Sequence, residues 1–201
     1  MLKELRSALV LFAALAFLTG LIYPLAVTGL ATSIFPDEAQ GSLIERDGKV
    51  VGSQLIGQFF TSDRYFHGRP SATLGPDPAD PAKTAPQPYN AVNSMGSNLG
   101  PTNKALVERV AGDVAKLKSE NPGAPVPIDL VTTTGSGLDP DISPEAALFQ
   151  VPRVAKARNL DEGTLRALIG KHTDARLFGV LGEPRVNVLA LNLALDGAAA
   201  K

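Results

Sequence analysis

From Ser7 to Phe35 no residue carries a charge, a run of 29 positions. As a helix this run is roughly 43 Å long at 1.5 Å per residue. A hydrocarbon core is about 30 Å thick, so the run crosses it with residues left for both interfaces. It is also far longer than the apolar part of an export signal, about 7–15 residues. The pattern predicts one membrane-spanning helix. Leu11, Leu15, Leu18, Ile22 and Leu25 repeat in steps of four and three. Ala16, Gly20, Pro24, Thr28 and Thr32 form a row of small residues at steps of four, the kind of groove that lets another helix approach closely in lipid. Pro24 clashes with the carbonyl four residues earlier, where Gly20 is the least crowded choice.

Beyond the helix the pattern turns mixed. Asp47-Gly48 between two short apolar runs predicts a type I′ hairpin over Ser42–Ser53. Phe59, Phe60, Tyr65 and Phe66 read as a packing cluster. Seven prolines between Pro70 and Pro101 exclude a helix there and leave a long irregular stretch. Leu106, Val110, Val114 and Leu117 place a helix over Thr102–Glu120, with Thr102 as its cap. Ile128–Thr132 reads as a short strand. Ser143-Pro144 opens a helix that Val151-Pro152 is expected to interrupt. Asp161 caps another helix running to Lys171. Val186–Leu195, with Leu189, Leu191, Leu193 and Leu195 alternating, reads as the strongest strand, central and covered on both faces. Helices and strands mix without βαβ alternation, so the fold class is α+β. The organisation expected is residues 1–36 as cytoplasmic N-terminus and membrane helix, and 37–201 as a single mixed α/β extracytoplasmic domain.

Charge sets the orientation. Lys3 and Arg6 precede the helix, whereas Asp37 and Glu38 follow it and the first later basic residue is Arg46. Positive residues stay inside, so the domain is expected outside the cell. The 201 residues carry 19 basic and 20 acidic side chains, which excludes a nucleic-acid-binding face. Zero cysteines remove disulfides, thiolate metal sites and cysteine nucleophiles. Nineteen glycines and 16 prolines require many turns.

Signs of chemistry are sparse. His67 and His172 stand far apart in the chain, with no metal-binding spacing and no Walker A loop or nucleophile elbow anywhere. A hydrolase would need one of these histidines beside a serine and a carboxylate. Two glycine-bearing stretches each precede a helix. In the first, Gly96, Ser97, Asn98, Gly100 and Asn103 are candidate loop contacts, where backbone N–H groups would hold an anion. The second is Thr132–Pro140. Capping and turn chemistry explain both equally well.

In order, Gly52–Phe60, Phe66-His67-Gly68-Arg69-Pro70-Ser71-Ala72, Gly96–Asn103, Gly135-Ser136-Gly137-Leu138-Asp139-Pro140, Ile142-Ser143-Pro144, Gln150-Val151-Pro152-Arg153-Val154-Ala155 and Val186–Leu195 resemble the family of C subunits (KdpC) of the Kdp potassium-transporting ATPase. Asp141 departs from the histidine the resemblance leads one to expect. The resemblance implies a non-catalytic subunit in a bacterial plasma (inner) membrane. Its partners would be a channel-like A subunit, a P-type ATPase B subunit and a small F subunit, which it would join or stabilise. It also implies a catalytic-chaperone role raising the B subunit's affinity for ATP, with Gln150 as the nucleotide-linked residue. The chain itself is expected to bind no cofactor, ATP entering through the complex. A domain outside the membrane meets no cytoplasmic ATP, so that role conflicts with the charge bias. Gln150 has a local alternative, satisfying carbonyls freed by Pro152.

Overall fold

A computed structural model describes residues 2–199; the side chains of residues 2–3 and 198–199 lie outside that description, so nothing further is said of Lys3. The chain forms two compact units that divide after Ser53.

The first unit opens with helices α1 (Leu2–Phe17) and α2 (Tyr23–Ile34), joined without a break by a π-helical turn, Leu18–Ile22. Together they give a 31-residue apolar helix, Glu4–Ile34, of mean hydropathy 2.3, none of it buried within the protein. The wide turn lies just ahead of Pro24. Tyr23 donates its N–H five residues back, to Leu18 O, so the helix loosens where the proline ring needs room. The small-residue row therefore does not drift evenly: Ala16 lies before the π turn, Gly20 inside it, and Pro24 and Thr28 beyond it. Thr32 and Ser33 return their hydroxyls to Thr28 O and Gly29 O at 2.7 Å each. After the short α3 (Pro36–Ala39) comes the expected hairpin, β1 (Leu43–Arg46) paired with β2 (Lys49–Ser53). Its turn residues have φ of 54° at Asp47 and 72° at Gly48, the type I′ signature.

The second unit is an α+β domain. Helices α4 (Lys104–Glu120), α5 (Pro144–Arg158), α6 (Glu162–Lys171) and α7 (Val188–Ala199) accompany two small antiparallel sheets. One is a hairpin, β3 (Leu74–Pro76) with β4 (Thr84–Pro86), inside the proline-rich stretch. The other has three strands, with β7 (Arg185–Asn187) between β5 (Asp141–Ile142) and β6 (Thr173–Asp174). The core gathers Val151 and Val154 of α5, Leu165 and Ile169 of α6, Leu191 and Leu195 of α7, Val186 of β7, and Phe66. Phe60 packs on this core and on Tyr65, their ring centroids 5.4 Å apart, whereas Phe59 is mostly exposed and stands outside the cluster.

Four expectations are corrected. The strand expected over Val186–Leu195 is a strand only as far as Asn187; from Val188 the chain is helical. Its buried positions are Val188, Leu189, Leu191, Asn192 and Leu195, a helical spacing. Asn187 caps the helix by accepting from Ala190 N–H at 3.0 Å, and the alanine- and leucine-rich sequence favours it. The strand expected at Ile128–Thr132 is a 3-10 turn, Ile128–Leu130, entered from Pro127. Helix α5 runs through Pro152 without interruption. Its Ser143 cap, the left-handed Asn159 at its end and the burial of Val151, Val154 and Ala155 offset the lost hydrogen bond. Helix α4 is capped by Asn103, which accepts from Ala105 N–H, rather than by Thr102.

Candidate functional site

Gln150 sits on the buried face of α5, and Asn192 occupies a comparable position on α7. Between them runs the extended segment Ser62–His67, with Phe66 driven into the core. Asn192 pairs with Phe66 at both ends of its amide: Phe66 N–H donates to Oδ1 and Nδ2 donates to Phe66 O, each at 2.9 Å. Gln150 does the same for the next residue. His67 N–H donates to Oε1 at 2.8 Å, and Nε2 donates to His67 O at 3.1 Å. Successive residues of an extended chain point their polar groups to opposite sides. Two side-chain amides on two helices therefore hold the segment as neighbouring strands would.

Two arginines of α5 complete the grip. Arg153 Nη1 donates to Asp63 O at 2.9 Å and to Tyr65 O at 3.1 Å. Arg158 Nε donates to Arg64 O at 2.6 Å. The imidazole Nε2 of His67 meets Ser62 O at 3.0 Å. All six carbonyls from Ser62 to His67 thus have a side-chain partner. The guanidinium of Arg158 also pairs with Asp196 at 2.7 Å and lies 4.8 Å over the Tyr65 ring. Tyr65 OH donates to the other oxygen of Asp196 at 3.2 Å.

The geometry revises the local reading of Gln150. Pro152 frees the carbonyl of Leu148, and Gln150 does not reach it. Its Nε2 bonds to Ala146 O at 3.2 Å, and its Oε1 takes a second hydrogen bond from Arg153 Nη2 at 2.7 Å. Both donors and both acceptor positions of the amide are engaged, and the residue is 3% exposed.

Beside this brace lies a cavity of about 270 Å³, whose walls include Phe60, His67, Arg69, Tyr89, Lys116 and Glu120. Burial, and then the Arg153 charge, push the His67 imidazole below its ordinary value, so it is neutral. Tyr89 is pushed up to about 12 by burial and by Asp139. It keeps its proton and donates to Arg69 O at 2.7 Å.

The two glycine-bearing stretches, separate in sequence, meet in space. Thr133 Oγ1 donates to Ser97 Oγ at 3.3 Å and Ser94 Oγ to Ser136 O at 3.0 Å. Gly96 lies so close to Gly135 O that a Cβ there would stand 2.9 Å from it. Asn98 takes a left-handed φ of 50°, and Gly100 is open to solvent. At the start of α4, Ala105 N–H is taken by the Asn103 side chain, and Leu106 and Val107 N–H by the Asn103 carbonyl. Sequence reasoning named Gln150 and missed Asn192, Arg153 and Arg158 as its companions. The available signal was three polar residues, Asn192, Arg153 and Arg158, set among core positions of apolar helices, since such residues are buried only when paired.

A long exposed apolar helix joined to a small α+β domain, whose polar side chains are spent bracing its own backbone, defines an accessory module of a membrane assembly. Residues 5–197 match the family model described as KdpC: K+-transporting ATPase, c chain. Similar proteins include one from Rhodopseudomonas palustris (strain BisB18), 72% identical over 198 residues, covering 98% of this chain and 100% of that protein. Others are from Methylobacterium nodulans, 70% identical over 201 residues, and Bradyrhizobium diazoefficiens, 68% identical over 201, both spanning each chain fully. All three are described as "Potassium-transporting ATPase KdpC subunit". This chain belongs to the KdpC family.

Proposed function

We propose that this chain is a non-catalytic subunit of a potassium-transporting ATPase, held in a bacterial inner membrane by its N-terminal helix with its domain outside the cytoplasm. The observation that carries the reading is the unburied 31-residue apolar helix in a full-length member of the family. Arg6 before that helix and Asp37 and Glu38 after it support the orientation. The row from Ala16 through Gly20 and Pro24 to Thr28 is the surface on which a neighbouring membrane helix packs. The partners are an ion-conducting A subunit, an ATP-hydrolysing B subunit and a small F subunit.

Gln150 acts through the segment it holds rather than by touching a nucleotide. Its saturated amide supports this reading, because a phosphate or base could bond to it only by displacing the His67 backbone or Arg153. The loop bearing Ser97, Asn98 and Gly100 is a contact surface for a partner rather than an anion cradle. Any effect on ATP affinity then reaches the B subunit mechanically. Protease treatment of intact spheroplasts tests the orientation: cleavage of the domain from outside is expected, and full protection overturns it. Gentle-detergent purification tests the assembly: ATPase and channel-like subunits are expected with the chain, and recovery of a lone monomer overturns it.

A further inference from the structure

We infer that the tip of the β6–β7 connection, Leu177–Leu181, is a second membrane contact that rests in the lipid interface. The tip is a small closed hairpin. Leu177 and Leu181 form an antiparallel bridge, each N–H donating to the other's carbonyl, at 2.9 and 3.0 Å. Gly179 N–H donates to Arg176 O and Val180 N–H to Leu177 O, and the turn passes through positive φ at Phe178 and Gly179. Arg176 and Glu183 pair across its base. The shape is thus fixed by the chain's own bonds. What it presents is apolar: Leu177 is 62% exposed, Phe178 84%, Val180 74% and Leu181 57%. None belongs to the core.

Three observations select lipid as the occupant. The same chain carries a membrane-spanning helix, so a bilayer is always within reach. Only 19 residues, 35–53, separate Ile34 from the second unit. At most about 3.4 Å each, they tether it within roughly 65 Å of the helix end. Next, every apolar side chain of the tip is more than half exposed, so no single flat face waits for a complementary protein surface. A fluid apolar medium takes such a tip from all sides. Finally, the polar cost is already met. The tip's backbone is largely bonded to itself, which a lipid interface demands, and the charges at its base are matched. Arg176 pairs with Glu183, and Arg185 with Asp141 and Asp174. With no net charge at the base, zwitterionic lipid suffices.

The inference rests on membrane anchoring by the N-terminal helix, but not on which side the domain occupies. Since the chain has no cysteine, single-cysteine variants carry a polarity-sensitive fluorophore without background. Full-length Phe178→Cys, Val180→Cys and, as control, Val92→Cys (Val92 is 96% exposed) are labelled and reconstituted into phosphatidylcholine vesicles, some containing spin-labelled lipid. Blue-shifted emission and several-fold stronger quenching by spin-labelled lipid are expected at positions 178 and 180 but not at 92. Vesicle-bound chain whose three labels behave alike overturns the inference. A shift at 178 and 180 that appears only after other subunits are added also overturns it, assigning the tip to a protein groove instead. Failure of the chain to float with vesicles would instead strike at the anchor itself and take the inference down with it. Circular dichroism of each variant confirms that the substituted surface residues leave the fold intact.

Discussion

The amide of Gln150 and the backbone of His67 face each other as two residues of paired strands do, exchanging hydrogen bonds of 2.8 and 3.1 Å. An amide side chain on a helix here stands in for an edge strand. Gln150→Leu keeps the volume but leaves one donor and one acceptor of His67 without partners in a mostly buried setting. Each such group costs about 1–3 kcal/mol. The expected loss is roughly 2–4 kcal/mol, read as a lower denaturant midpoint of the full chain in detergent. Any change in the ATP affinity of an assembled transporter should track this loss of stability. A variant that alters ATP affinity with an unchanged midpoint would return Gln150 to direct nucleotide contact.

Acid should loosen the same brace. The folded protein resists protonating His67, held below its ordinary value of 6.5 by burial and by Arg153. The unfolded chain takes up that proton freely. Protons therefore favour unfolding, and stability falls as pH drops through about 6.5, with no further loss once the folded imidazole also titrates. In His67→Gln, whose amide N–H still reaches toward Ser62 O, the pH dependence of the unfolding midpoint between about pH 5 and 7 should be shallower than in the parent.

Arg158 is nearly enclosed, and it serves Arg64 O, Asp196 and the Tyr65 ring together. Arg158→Ala strands the Asp196 carboxylate and a backbone carbonyl, and breaking a buried pair from one side costs about 3–5 kcal/mol. Asp196 retains some solvent contact, so the lower end is expected, measured by urea unfolding. Arg158→Lys restores the charge but not the forked geometry, and should recover only part of the loss.

Tyr89 lies against two glycines, and a Cβ on Gly68 would run into its hydroxyl. Gly68→Ala should cost about 1–3 kcal/mol, the usual penalty for overfilling a packed site. In a Tyr89→Phe background the obstructing oxygen is gone, and the added cost of the alanine should largely vanish. A full penalty in both backgrounds would place the strain elsewhere. The four midpoints of this double-mutant cycle decide it.

Much of the architecture is written in local signals. The apolar run, the Asp47-Gly48 turn, Ser143-Pro144 and Asp161 each act within a few residues of themselves, and each formed the expected element. The misreadings share one cause. Val186–Leu195 satisfies a two-residue and a helical period at once. Only tertiary burial of Asn192 beside Leu191 and Leu195, with the Asn187 cap, decides for the helix. Pro152 carries a strong local signal that packing overrides. At the brace, the sequence marks Gln150 but not its purpose, because its partners lie 83 residues away in a segment with no regular structure of its own. The Leu177–Leu181 tip escaped notice because apolar letters in a turn look like core until their exposure is known.

The π turn ahead of Pro24 holds one residue more than an ordinary helical turn needs. The membrane helix is thus two cylinders whose angular phases are set separately. Deleting a single residue between Leu18 and Ile22 would restore ordinary winding and turn one half against the other by about 100°. Each half would still be able to cross its share of lipid, but the groove from Ala16 to Thr28 would lose its alignment. A complex that tolerates substitutions along this helix should therefore be intolerant of a change in its count.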